Sequence, residues 1–173
     1  MSRAEYKYCP FCATPLEARH LYHHLRPACP ACGFVHFLDP KVAVIALVTH
    51  GDQALVVRRA MDPAKGKWAL PGGFMDAGEM PEAALQRELR EEINLDVCVV
   101  RLLDIFPMVS SNPRSQGIVL AYHAVPADDQ QTTLLCADDV CEAGWFRADA
   151  IPVDLAFDST HTLLDRWRRS ALV

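Results

Sequence analysis

An α/β sandwich carrying a small N-terminal module is the architecture to which this 173-residue sequence points. Two observations carry that expectation. From residue 39 onward, short β-branched and apolar runs interleave with helix-patterned stretches, a pattern that neither a pure helical nor a pure strand fold requires. Ahead of them, two CxxC pairs fall in a stretch too short to bury a core without a staple. A composition 51% hydrophobic and 23% charged excludes a disordered chain. The longest apolar run, 42–48, has strand length, against the about 20 residues of a membrane span. Arg3, Glu5, Lys7, Glu17 and Arg19 interrupt the start of the chain, so no secretory signal can be drawn and a cytoplasmic location is expected.

The module is built around Cys9, Cys12, Cys29 and Cys32, with sixteen residues between the pairs. Pro10 and Pro30 inside the pairs and Gly33 after the second suit tight, ligand-bearing turns. That spacing lets four thiolates close a tetrahedron around zinc at about 2.3 Å. A redox dithiol would use one pair and leave the other idle. Four protein ligands leave no open position, so the Zn²⁺ is expected to be structural. His20, His23 and His24 read as surface or local packing residues. Cys98, Cys136 and Cys141 read as small buried hydrophobes, the odd total of seven cysteines arguing against a disulfide framework.

Asp39-Pro40 closes the module, which gives domains of 1–38 and 39–173. Residues 41–49 (KVAVIALVT) read as a buried strand, His50-Gly51-Asp52 as a hairpin turn, and 53–59 as the returning strand. A loop rich in glycine and proline runs from Pro63 to Gly78. Residues 81–93 are helical by composition, with Pro81 where its missing N–H costs nothing. Residues 97–106, 118–125 and 140–146 read as three more strands. The tail, 159–171, reads as a helix with Ser159 or Thr160 near its N-cap and Leu163, Leu164 and Trp167 on one face.

The middle helix holds the informative chemistry. Glu88, Glu91 and Glu92 stand at i, i+3 and i+4, so three carboxylates share an arc of roughly 100° beside the apolar stripe of Leu85, Leu89 and Ile93. Such a cluster is either a solvated acidic face or a site for a hard divalent cation, Mg²⁺ or Mn²⁺. The preceding loop decides between them. Gly73, Glu79, and then Arg87-Glu88-Leu89-Arg90-Glu91-Glu92-Ile93-Asn94-Leu95 resemble the box of the Nudix hydrolases, G-x5-E-x7-R-E-U-x-E-E-x-G-U with U aliphatic. Asn94 replaces the second glycine. That position follows the helix and is expected to be left-handed, where asparagine is the commonest substitute.

The resemblance implies an α/β/α sandwich with a mixed sheet, and a set of roles. Glu88 and Glu92 would ligate the divalent cation, Glu91 would join them directly or through water, and the Gly72 carbonyl would add an oxygen. Glu79 and Arg87 would form the salt bridge that fixes the loop to the helix, with Gly73 giving room for close approach. Glu91 is one candidate base. A carboxylate from a later loop is another, Asp139 or Glu142, and Glu92 and Glu142 complete the catalytic set with Glu91. Arg58 and Arg59 at a strand end either pair with phosphate oxygens or lie as surface charge.

The implied activity is hydrolysis of a nucleoside diphosphate linked to another moiety. A four-cysteine ribbon ahead of such a domain resembles the NADH, FAD and ADP-ribose pyrophosphatases. Residues 142–157 (EAGWFRADAIPVDLAF) look most like the FAD and ADP-ribose members, and the NADH signature SQPWPFPxS is absent from 106–116. ADP-ribose or FAD is therefore favoured over NADH as the small-molecule partner, with AMP released. A homodimer is the implied assembly. A ligand sensor or nucleic-acid-binding regulator using the ribbon, or removal of nucleotide caps from RNA, are the alternatives. Regulators of that kind tend to lose box carboxylates, and the ribbon shows no basic stripe for nucleic acid. A net charge of -5, or about -7 once four thiolates hold Zn²⁺, would repel an anionic substrate unless the carboxylates recruit cations.

Overall fold

A computed structural model describes residues 6–108, 116–128 and 133–169. These cluster as two compact units, 6–41 with Gln116, and 42–108 with 117–128 and 133–169. In the first unit, β1 (Glu17–Leu21) and β2 (His24–Ala28) form an antiparallel hairpin in register from Glu17 opposite Ala28 to Leu21 opposite His24. Tyr22 and His23 make its turn with φ of 52° and 66°, the left-handed pair whose twist matches the flanking strands. His20, His23 and His24 are exposed.

The other elements are β3 (Lys41–His50), β4 (Gln53–Arg59), β5 (Trp68–Ala69), α1 (Pro81–Ile93), β6 (Val97–Met108), β7 (Gly117–Pro126), β8 (Val140–Arg147) and α2 (Asp158–Arg168). The strands order as β5-β4-β3-β7-β6, with β8 paired to β4. The β3–β4 turn is the expected hairpin, His50 facing Gln53 across Gly51 at φ 57°.

Strand alternation explains the layers, because successive side chains point to opposite faces. Val44, Ala46 and Val48 of β3 with Leu55 and Val57 of β4 pack with Ala84, Leu85, Leu89 and Ile93 of α1. Leu47, Ala54 and Val56 point the other way and pack with Leu163 and Leu164 of α2. The centre of the sheet, β3 and β4, is therefore buried on both faces, one helix to each, and each fully buried leucine contributes about 1.5–3 kcal/mol. Trp68 packs into the second layer, edge-on to Phe146 at 5.4 Å.

Several expectations need correction. The second helix starts at Asp158 with Phe157 at its N-cap, whereas Ser159 and Thr160 lie buried inside the first turn. The Thr160 hydroxyl accepts the Leu70 N–H at 3.4 Å, so it serves tertiary packing and not the cap. The expected end of that helix, Ala171, lies outside the described residues, as do 109–115 of the stretch that lacks the NADH signature. Cys98, Cys136 and Cys141 are exposed, not buried. Cys98 follows the buried Val97 and takes the opposite face of β6, and the Cys141 thiol reaches the Arg58 carbonyl at 3.4 Å. Among the described residues no helix is long and apolar enough to cross a membrane.

Candidate active site

The glycine loop is laced to β3 before it reaches the helix. Ala46 N–H donates to the Pro71 carbonyl at 3.0 Å, Val44 N–H to Gly73 at 2.8 Å, and Met75 N–H to the Val42 carbonyl at 3.0 Å. Glycine is required twice here. Gly72 has φ 133°, and a Cβ on it would lie 2.1 Å from the Val44 carbonyl oxygen. A Cβ on Gly73 would lie 2.4 Å from Oε2 of Glu88, so only a bare backbone lets that carboxylate sit against the loop.

Helix α1 has Met80 at its N-cap with Pro81 in its first turn, and Asn94 at its C-cap with φ 54° and ψ 41°. The left-handed exit expected for Asn94 is present, closed by Asn94 N–H to the Arg90 carbonyl at 3.0 Å and Leu95 N–H to the Leu89 carbonyl at 3.3 Å. Burial of Leu85, Leu89 and Ile93 fixes the rotation of the helix and turns its carboxylates toward the loop.

Arg87 is the brace. Its Nε and Nη2 donate to the two oxygens of Glu79 at 2.9 and 3.0 Å, a bidentate pair. Nη1 donates to Glu88 and Glu91, each at 2.9 Å, and Nη2 also to the Phe74 carbonyl at 3.0 Å. These hydrogen bonds, with one from Asp76 N–H, hold the Glu79 carboxyl below its usual range. One guanidinium thus ties loop, helix and three carboxylates together.

Glu92 is only 3% exposed, and its Oε2 accepts the Gly72 N–H at 3.0 Å. Burial, followed by the neighbouring charge of Asp139, pushes its carboxyl up to about 9. Burial also raises Glu88, against the pull of Arg87 and with the push of Glu91 and Asp139. Gly72 meets the helix through its N–H, which leaves the expected ligand role of its carbonyl untouched.

The loop acids separate. Glu142 stands opposite Arg58 in the β4–β8 register and pairs with it at 3.2 Å, while Arg58 Nε donates to the Gly66 carbonyl at 2.8 Å. Asp139 is the one brought against Glu92. Its carbonyl accepts the Ala60 N–H at 2.7 Å, its carboxylate lies 3.8 Å from Arg59 Nη2, and Arg59 Nε donates to the Pro63 carbonyl at 2.8 Å. The signal that could have chosen Asp139 is strand alternation running back from Trp145 and Phe146, but the bulge at Arg58/Arg59 shifts the register.

In the N-terminal unit, the sulfurs of Cys9, Cys12, Cys29 and Cys32 lie within 4.8 Å of one another, a cluster able to hold a metal ion. The closest pairs, Cys9–Cys32 and Cys12–Cys29, are 3.5 Å apart. Four 2.3 Å bonds at tetrahedral angles put sulfurs about 3.8 Å apart, so the cage has the right size for zinc. Both pairs fold alike. Ala13 N–H donates to the Cys9 carbonyl at 2.9 Å and Gly33 N–H to Cys29 at 3.2 Å, each donor at positive φ. The Thr14 hydroxyl, 3.3 Å from Cys12 Sγ, and the Thr14 N–H hold that thiol down to about 6, while Cys32, against its bond from Phe34, is pushed up by the neighbouring Cys9 and Cys29 thiols.

The glycine loop braced to a carboxylate helix is the hallmark of one class of protein, and comparison agrees. The NUDIX domain model matches residues 39–167. The chain belongs to the Nudix family of hydrolases. It is 34% identical over 134 residues to an ADP-ribose pyrophosphatase of Methanocaldococcus jannaschii, covering 76% of this chain and 77% of that one. It is 28% identical over 149 residues to the NAD-capped RNA hydrolase NudC of Stutzerimonas stutzeri, covering 86% of this chain and 51% of the relative. This chain thus spans about half the length of that relative. A crystal structure of a Nudix hydrolase from Nitrosomonas europaea superposes with a TM-score of 0.83 at 28% identity, covering 95% of this chain and 92% of that one.

Proposed function

We propose that this chain is a divalent-cation-dependent pyrophosphohydrolase that cleaves a nucleoside diphosphate linked to another moiety and releases AMP, with ADP-ribose or FAD favoured over NADH. Glu92 carries the proposal: a nearly buried carboxyl set against Asp139 and close to Glu88, whose ionisation is costly until a cation offsets the charge. The donor set is all oxygen, which fits Mg²⁺ or Mn²⁺, held by Glu88, Glu91, Glu92 and the Gly72 carbonyl. When bound, such a cation neutralises the diphosphate and acidifies a water. Asp139, set beside Glu92 and paired with Arg59 only at 3.8 Å, accepts the proton of the attacking water; Glu142 is held by Arg58 at 3.2 Å, and Glu91 by Arg87 at 2.9 Å. Arg59 presents its guanidinium to a phosphate oxygen, and Arg58, held by Glu142, is the second candidate for that contact. Arg87 and Glu79 keep the loop and helix in register, and Gly73 keeps Glu88 against the loop.

The four cysteines hold a structural Zn²⁺ in a module of 1–38, ahead of a catalytic domain of 39–173 that works as a cytoplasmic homodimer. The ADP-ribose pyrophosphatase relative supports the substrate class. The NudC relatives favour a second reading, removal of NAD caps from RNA. Purified protein with Mg²⁺ is assayed for AMP release from ADP-ribose, FAD, NADH and NAD-capped RNA. Release from a free dinucleotide or ADP-sugar, falling about 10²–10³-fold in Glu92→Gln, is expected. Release from none of them would refute the proposal, and release from capped RNA alone would select the second reading.

A further inference from the structure

Phe157 stands where an aromatic residue is hard to accommodate. Its φ of 61° with ψ of 138° is a positive-φ conformation outside the left-handed helical region, one that residues with side chains seldom adopt. Surrounding backbone holds it there: Ala156 N–H donates to the Trp68 carbonyl at 2.6 Å, Leu155 bridges Trp68, and His161 N–H donates to the Phe157 carbonyl at 3.2 Å. The side chain gains little burial in return, for Phe157 is 44% exposed. Glycine would meet the backbone requirement without that strain. Neither packing nor backbone geometry therefore accounts for the ring.

Its neighbours give it a use. The Arg59 guanidinium lies over the ring, 5.4 Å from the centroid. The same guanidinium is 3.8 Å from Asp139, the acid beside Glu92. One arginine side chain therefore spans from the ring to the carboxylates. Among the described residues of 42–169, Phe74 and Phe157 are the exposed phenylalanine, tyrosine or tryptophan rings, and Phe74 lies on the glycine loop itself. A nucleoside diphosphate has the same order of parts, a planar base beyond a charged phosphate.

We propose that the open face of Phe157 stacks the nucleobase of the substrate, with Arg59 between that base and the carboxylates pairing with phosphate. This rests on the pyrophosphohydrolase reading above and adds the residue that selects for a base. Base–aromatic stacking of this kind is worth about tenfold or more in affinity per base.

The test is calorimetric titration of AMP and of ribose 5-phosphate, with Mg²⁺ present, into the wild type, Phe157→Leu and Phe157→Tyr. Leucine keeps the backbone strain and loses the π face; tyrosine keeps both. Weakening of AMP binding by about tenfold in the leucine variant, near-wild-type affinity in the tyrosine variant and no change for ribose 5-phosphate are expected. Equal AMP affinity in the wild type and the leucine variant would overturn the proposal, as would an equal loss for both ligands or no AMP binding by the wild type. Phe157→Trp gives a second readout that does not depend on the leucine variant folding. AMP should quench its fluorescence beyond the change seen in the wild type, and no added quench would equally overturn the proposal. Phe157-dependent AMP binding without hydrolysis of any diphosphate would sink the pyrophosphohydrolase reading alone.

Discussion

Glu92 is a carboxyl that folding removes from water, and its cost depends on pH. The group moves from an ordinary 4.5 to about 9 in the folded chain, burial being the first cause. Between those values the native state keeps a proton that the unfolded state has lost, so stability falls as pH rises through that window. Glu92→Gln has no such proton to hold. In magnesium-free buffer the variant should match the wild type near pH 4.5 and become progressively more stable than it toward pH 9, read by urea denaturation; a constant difference would contradict the burial account. Gly73 acts on the same group of atoms by sterics. In Gly73→Ala the new Cβ would lie 2.4 Å from Glu88 Oε2, forcing that carboxylate away from the loop. Steady-state kinetics should show a loss of about 10²-fold in kcat with the fold retained. Unchanged kcat would separate Glu88 from the chemistry.

At the scale of elements, α1 and the glycine loop form one unit through Arg87. Its guanidinium answers Glu79, Glu88 and Glu91 at once, and the Glu79 and Glu88 side chains are only 16% and 14% exposed. Arg87→Met leaves those charges facing one another. Stability should fall by about 2–3 kcal/mol by denaturant titration without added divalent cation, since hydrogen bonds to charged partners carry that order of energy. A loss under 0.5 kcal/mol, the scale of an ordinary surface substitution, would show that the brace is not structural. The bounds of this helix were legible because local chemistry sets both ends, Pro81 at the start and Asn94 in a left-handed exit. Both hairpin strands around Gly51 were legible for the same reason. β5 was not, because two residues become a strand only by pairing with Val57 and Arg58. The choice between Asp139 and Glu142 also escaped the sequence. They are three residues apart, and only the β4–β8 register puts Glu142 opposite Arg58 and leaves Asp139 to Glu92. The N-cap of α2 was misplaced because Ser159 and Thr160 are suitable cap residues that tertiary packing draws inward.

For the whole molecule, charge is the central problem. A chain of net charge -5 has to bind an anion, and its candidate site adds three glutamates and an aspartate at the point of contact. Two metal environments divide the work in this account, thiolates for a structural ion in the N-terminal module and oxygen ligands for the catalytic cations. The cysteine cage was the most legible part of the chain, since its four ligands lie in two short repeats whose backbone turns are alike. The carboxylate site needed the fold to complete it, because Asp139 arrives from a distant segment. Whether divalent cations and not protein charge bring the diphosphate to Glu88, Glu91 and Glu92 is decided by titrating ADP-ribose into the zinc-loaded protein with and without Mg²⁺. Binding is expected when Mg²⁺ is present and none measurable when it is absent. Tight binding of ADP-ribose without added divalent cation would contradict it.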